Sequence, residues 1–284
     1  MKFLSSFFSL FLIFCLGTKI SWAQDFQGQA VYFSKTTVDM PNFGGREMSE
    51  ERRKQIMERM KSMFEKSYTL NFNRTESVYA EEEKLDAPGQ GGGGWRMMGG
   101  AMSSGPQYKN VKENQLLIEQ ELFGKQFLIT DSLAKYSWKM GTETKKIGEY
   151  TCFKATAEVA IDSSNIMNFR RRDSRNNSDN TASDSSSIEK EEPKTMTVTA
   201  WYSPQIPVSQ GPAEYWGLPG LILELSTDRT TILCTKIILN PASKVKIEAP
   251  KRGEKVTKQE YAEIVKQKTE EMREMFRGRG GNRG

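Results

Sequence analysis

Apolar and polar positions alternate along most of this chain, and the period lengthens to a helical one in two places. "GQAVYFSKTTVDM", near the start, is rich in β-branched and aromatic residues and predicts a strand. In "KSYTLNFNRTESVYAEE", Tyr68, Leu70 and Phe72 alternate with polar residues, as in a strand with one wet face. Between Tyr108 and Val159, "QLLIEQEL", "KQFLITDSL", "KYSWKM" and "EYTCFKATAEV" are short runs parted by turn signals such as Gly124 and Gly141. That rhythm predicts an antiparallel meander. "TMTVTAWYS" and "RTTILCTKIILN" add further strands, and the "TDRT" link from Leu225 to the second is of hairpin length.

The helical period appears in "MSEERRKQIMERMKSMFEK" and in "TKQEYAEIVKQKTEEMREMFRG". In the first, Ser49 can cap, Glu50 and Glu51 complement the dipole, and Ile56, Met60, Met63 and Phe64 form the stripe. In the second, Thr257 and Glu260 make a capping box, and Tyr261, Ile264, Val265, Lys268, Met272 and Phe276 trace the stripe. The expected fold is mainly β, of the α+β class. It is a single curved antiparallel sheet or partial barrel with two amphipathic helices.

Two segments break the pattern. Residues 86–106 are rich in glycine and methionine and read as a mobile loop. Residues 162–193 are Ser, Asn, Asp and Arg, too polar to offset their ordering cost, and read as a disordered insertion within the domain. The expected organisation is a leader over 1–23, a β domain over 24–250, and a C-terminal helix with a basic Gly/Arg tail over 251–284.

The leader is read from Lys2, the apolar run Phe3 to Leu16, and the small-x-small site Ser21 to Ala23. The run is short for a membrane span, and no second run of spanning length follows. Export to the periplasm or the outer membrane is therefore expected, with no transmembrane span in the mature chain. Losing Lys2 and Lys19 lowers the formal charge from +5 to +3. That is weak for nucleic-acid binding, and none is expected.

Histidine is absent, so Ser-His-Asp and Cys-His arrangements are excluded. No zinc-protease helix, phosphate loop or dinucleotide fingerprint occurs, and no carboxylate pair is marked out by its surroundings. The expectation is a protein that is not an enzyme and needs no cofactor. Methionines supply the one metal option. Met57, Met60 and Met63 lie at helical spacing, and thioethers suit Cu(I), although methionine at that spacing more often fills a core or groove. Outside the leader, Cys152 and Cys234 remain, on separate predicted strands. An oxidising compartment permits a disulfide between them, and spacing leaves the pairing open. Cys152 falls on the opposite side of its strand from Phe153, Ala155, Ala157 and Val159, so a disulfide or a helix-covered second face is expected there.

The most unusual stretch is "GPAEYWGLPGLILEL", Gly211 to Leu225. Pro219-Gly220 predicts a type II turn with positive φ at the glycine. Leu221, Leu223 and Leu225 then alternate with Ile222 and Glu224, so the segment reads foremost as the entry to a central strand. The alternative is a binding rim formed by Glu214, Tyr215 and Trp216.

"GLPGLIL", Gly217 to Leu223, resembles the signature of the GLPGLI family of exported Bacteroidota proteins, with Gly217, Leu218, Pro219, Gly220, Leu221 and Ile222 as its motif. "GEYTCFKATA" and "WYSPQIPVSQGP" look like the elements upstream, with Ser203 where threonine is expected. The resemblance implies an exported protein without an established activity, and it brings no catalytic residues. It also suggests work beside outer-membrane TonB-dependent receptors. Residues and resemblance together lead us to expect a binding or accessory protein for such a receptor or an apolar ligand. Met-mediated copper binding and a purely structural or interaction role are the alternatives.

Overall fold

A computed structural model describes residues 26–37, 49–52, 54–55, 58, 64–82, 104–160 and 195–280. Their strands form one mixed sheet. In chain order these are β1 (Gln27–Thr36), β2 (Glu65–Asn73), β3 (Glu76–Glu81), β4 (Ser104–Asn110), β5 (Gln115–Leu122) and β6 (Lys125–Ser132). Then follow β7 (Lys139–Ile147), β8 (Tyr150–Ala160), β9 (Thr195–Ser203), β10 (Leu221–Ser226), β11 (Thr230–Leu239) and β12 (Glu254–Val256). The spatial order is β12-β6-β5-β4-β3-β2-β1-β11-β10-β9-β8-β7.

β1 therefore stands mid-sheet, paired antiparallel to β2 on one side and β11 on the other. Its alternation places Ala30 and Tyr32 on the face shared with Leu70 and Phe72 of β2. Phe123 and Gly124, both at positive φ, make the two-residue turn between β5 and β6. β12 is the exception to antiparallel pairing, lying parallel to β6.

The order of strands forces the curl. β6 and β7 are ten spacings apart, about 48 Å if the sheet were flat. The link from Leu133 to Trp138 reaches roughly 25 Å at full extension. The two ends of the sheet must therefore bend toward one another, giving a curled, open sheet. The expected strand in "KYSWKM" gives way to this link: Tyr136 and Trp138 lie in it, and β7 begins at Lys139.

Three further expectations change. Residues 251–284 are not appended to the domain: β12 extends the sheet, and Tyr261 and Val265 of the C-terminal helix (Lys258–Gly280) pack with Phe127 and Ile129. Residues 104–106, assigned to the Gly/Met loop, open β4. Leu221, Leu223 and Leu225 are buried as expected, but the simple alternation changes: Ile222 is buried as well, so both faces of β10 are covered at its start, and the β9–β10 register skips Leu223.

Helical residues at 50–52, 54–55, 58 and 64 mark the first predicted helix. The leader, most of the Gly/Met loop and the insertion 162–193 lie outside the described residues. Among the described residues, no helix is long and apolar enough to cross a membrane.

Candidate functional site

The connection from Pro204 to Gly220, which carries most of the unusual stretch, folds back into the curl. Ile206, Val208 and Leu218 are buried with Tyr32, Leu70 and Phe72 in the main core. Backbone bonds hold the connection to itself and to β10: Leu221 N–H donates to Ile206 O (3.0 Å) and Ile222 N–H to Gln210 O (3.1 Å). Ser209 Oγ donates to Leu218 O at 2.9 Å.

Its far side is fixed by side chains from strands remote in the order. Lys109 of β4 is completely buried, and its Nζ donates to Gly211 O (2.6 Å) and Tyr215 O (2.9 Å). Burial lowers its pKa to about 7, while the neighbouring Glu214 carboxylate pulls the other way. Ser77 of β3, the cross-strand partner of Lys109, donates to Gln210 Oε1 at 2.8 Å. The Gln210 amide Nε2 is buried and finds no partner among the described residues. A buried amine close to neutrality has nucleophilic chemistry available to it, but solvent has no access to this Nζ. Its geometry is that of a tie between sheet and connection.

The turn differs from expectation. Gly220 does not take positive φ; Gly217 does, at 97°. Gly220 N–H donates to Leu218 O at 2.8 Å, a tighter turn centred on Pro219. Glycine is required at 220 for another reason: a Cβ there would sit 2.3 Å from Ser203 O.

The expected rim Glu214-Tyr215-Trp216 is engaged within the molecule. Glu214 pairs with Lys258 of the C-terminal helix at 2.5 Å. Tyr215 is buried and its ring stacks on Tyr136, centroids 5.2 Å apart. Trp216 donates its indole N–H to Ala134 O (2.8 Å), and its own carbonyl accepts from the Trp138 indole (2.9 Å). These residues join the connection to the β6–β7 link and to the helix.

Cys152 and Cys234 are separate buried thiols, not a disulfide. β9 and β10 lie between their strands, and three spacings of about 4.8 Å far exceed the reach of a disulfide. Burial raises Cys152 to about 11 and Cys234 to about 12. Cys152 is fully buried, but not under the expected helix: it belongs to the cluster that includes Ile206 and Leu221, whereas Tyr261 and Val265 of the C-terminal helix belong to another.

Met57, Met60 and Met63 lie outside the described residues. No group of three or more Cys, Asp or Glu side chains is placed to hold a metal among those described.

Sequence reasoning missed two features. One is Lys109, a charged residue inside a strand pattern, whose burial only the strand order reveals. The other is an exposed apolar corner at the open end of the sheet. Met140 of β7 is 54% exposed and Phe153 of β8 is 36% exposed. Tyr202 of β9 lies beside both: its ring centroid is 6.2 Å from that of Phe153, and its hydroxyl donates to Met140 Sδ at 3.6 Å.

A family model described as "Protein of unknown function (Porph_ging)" matches residues 138–224. The match runs from the start of β7 through the connection and most of β10. No curated protein matches this chain. Two solved structures of PNGF-II, in the C2 and P21 space groups, are similar, with TM-scores of 0.47 and 0.44 and identities of 15% and 14%. Each alignment covers 84% of this chain, and 32% and 33% of theirs, so the chain spans about a third of their length.

Proposed function

We propose that this is an exported, non-catalytic envelope protein of the GLPGLI type. It binds an apolar ligand or a partner protein through the corner formed by Met140, Phe153 and Tyr202. The carrying observation is the exposure of two large apolar side chains on adjacent strands, next to a tyrosine that already bonds one of them. Methionine adapts its shape to the surface it meets, and aromatic residues supply area at low entropic cost. Tyr202 ties this corner to the main core, since it belongs to the buried cluster that includes Ile206 and Leu218. An outer-membrane TonB-dependent receptor, suggested by the resemblance, is the first partner to seek.

The test is affinity purification of the tagged full chain from its native envelope, with identification of co-purifying proteins and extractable apolar molecules. A Met140→Ser/Phe153→Ser variant is run beside it, after circular dichroism shows that it is folded. Selective loss of one component in the variant supports the reading. Recovery of the wild type alone, or identical recoveries from both proteins, rejects it.

A further inference from the structure

Two apolar clusters share one face of the sheet, and polar residues part them. Cross-strand partners stand side by side on the same face. One row runs Phe72–Ser77–Lys109–Leu116 across β2, β3, β4 and β5, and the next runs Leu70–Tyr79–Gln107–Ile118. Leu70, Phe72 and Tyr79 belong to the main core, whereas Leu116 and Ile118 belong to the cluster that includes Tyr261 and Val265. Ser77, Lys109 and Gln107 therefore form a polar seam between the two, and Tyr79 borders it. The connection closes the seam. Ser77 Oγ holds the Gln210 carboxamide at 2.8 Å, and the carbonyls of Gly211 and Tyr215 take two hydrogens of the Lys109 ammonium.

Hydrogen bonding within the seam is incomplete. Among the described residues, four buried side-chain atoms have no partner, and three of them are the Tyr79 hydroxyl, Gln107 Oε1 and Gln210 Nε2. The third hydrogen of the Lys109 ammonium is a further donor. Burying such a group without a partner forfeits its hydration, so folded proteins serve these groups with water or an ion. The set here is mixed: Gln210 Nε2 and Lys109 Nζ donate, and Gln107 Oε1 accepts. Water does both, whereas an anion has no hydrogen to give Gln107. Turning the Gln210 amide over would exchange the end that meets Ser77 for the other, and water fits either orientation. Ser77, Lys109 and Gln210 have no exposed surface, so the guest must be small. Lys109 already faces two carbonyls and lies near the Glu214 carboxylate, so its charge calls for no anion.

We propose that this seam is a built hydration site. Ordered water accepts from Gln210 Nε2 and Lys109 Nζ and, in the neighbouring row, bonds Gln107 Oε1 and the Tyr79 hydroxyl. It couples the core that contains Tyr202 to the core that docks the C-terminal helix. The site is separate from the Met140–Phe153–Tyr202 corner, and either assignment stands without the other.

The experiment has two arms. The first is a high-resolution crystal structure of the full chain grown with sodium bromide. The expected result is water density at hydrogen-bond distance from Gln210 Nε2 and from Gln107 Oε1, with no anomalous bromine signal in the seam. The second is urea unfolding of Tyr79→Phe, which removes one oxygen and keeps the ring. A hydroxyl that gives its hydrogen to water stabilises the fold, so the variant should unfold at a lower urea midpoint than the wild type. Three results would overturn the proposal. They are a seam without water density, bromide bound at Gln210 or Lys109, and a Tyr79→Phe midpoint equal to or above that of the wild type. The last is the outcome for a hydroxyl buried without a partner, whose removal relieves a cost.

Discussion

At the scale of single residues, the two positions that define the connection act through what surrounds them. Lys109 is held by two carbonyls in a closed site, and its folded-state pKa of about 7 lies below the ordinary lysine value. Above about pH 7 the unfolded chain keeps the proton that the folded one has lost, so this group makes stability rise with pH toward the normal lysine range. Below that point both states are protonated, and its slope vanishes. Lys109→Met removes the titration and leaves the carbonyls of Gly211 and Tyr215 without their donor. In urea unfolding at about pH 6 and about pH 9, the wild type should gain stability relative to the variant at the higher pH. A difference that does not change with pH would contradict the assigned shift. Gly220 is limited by space rather than by φ. The atoms facing a new Cβ are Ser203 O, Ser203 C and Pro204 N, all backbone and all under 3 Å away. Gly220→Ala should therefore cost about 3 kcal/mol. Gly124→Ala, at φ 83° in open space, should cost about 1–2 kcal/mol. Urea midpoints in the reverse order would show that the β9 end yields easily. The sequence carried the requirement for glycine at 220 but not its cause, since contact with Ser203 depends on how the connection returns.

At the scale of elements, local patterns predicted well wherever one strand or helix could be read by itself. The capping box at Thr257, the β10–β11 hairpin and the alternation of buried Leu70 and Phe72 with less buried neighbours are present, while Tyr68, expected on the same face, is only half-buried. Reading failed where an element's environment comes from elsewhere in the chain. Glu214, Tyr215 and Trp216 looked like a rim because nothing nearby in sequence covers them. Their partners are Lys258, Tyr136, Lys109 and Ala134, which the fold brings in from both directions. Leu223 is buried as expected; what its own segment did not show is the register skip, which is a property of two strands together. The C-terminal helix shows the same dependence energetically. Its docking rests on Tyr261, Ile264 and Val265, so Val265→Ala should cost about 1–3 kcal/mol through lost burial and an unfilled cavity. Amide exchange followed by mass spectrometry should then show faster exchange across the helix and β12, with β1 and β11 unaffected. Uniform acceleration throughout the sheet would instead mean that helix and sheet open as one unit.

At the scale of the whole molecule, a long sheet that does not close must manage two edges. β12 meets the problem by being three residues long. β7 is nine residues long and mostly exposed, and it is defended by two other means. Its pairing with β8 slips between Met140 and Thr144, which leaves Gly141, Thr142 and Glu143 opposite Lys154 alone and bends the edge. It also carries Lys139, Lys145 and Lys146, whose charges oppose addition of another strand. Lys145 has a second task, pairing with Glu224 at 2.6 Å and lying 4.3 Å over the Trp201 ring, so it is bound into the sheet. Lys139 and Lys146 are exposed, which leaves them available for edge defence. The apolar corner of Met140 and Phe153 sits beside this edge, so weakening the defence would expose both backbone donors and apolar surface to a neighbouring molecule. Lys139→Thr/Lys146→Thr should therefore fold with a sheet of unchanged dichroism and associate more strongly. Sedimentation velocity over a concentration series would show larger species than the wild type gives at the same concentration. Adding Met140→Ser should reduce that association, because it removes the more exposed of the two apolar side chains at the corner. Identical sedimentation of wild type and double variant would mean that the register slip alone keeps the edge closed.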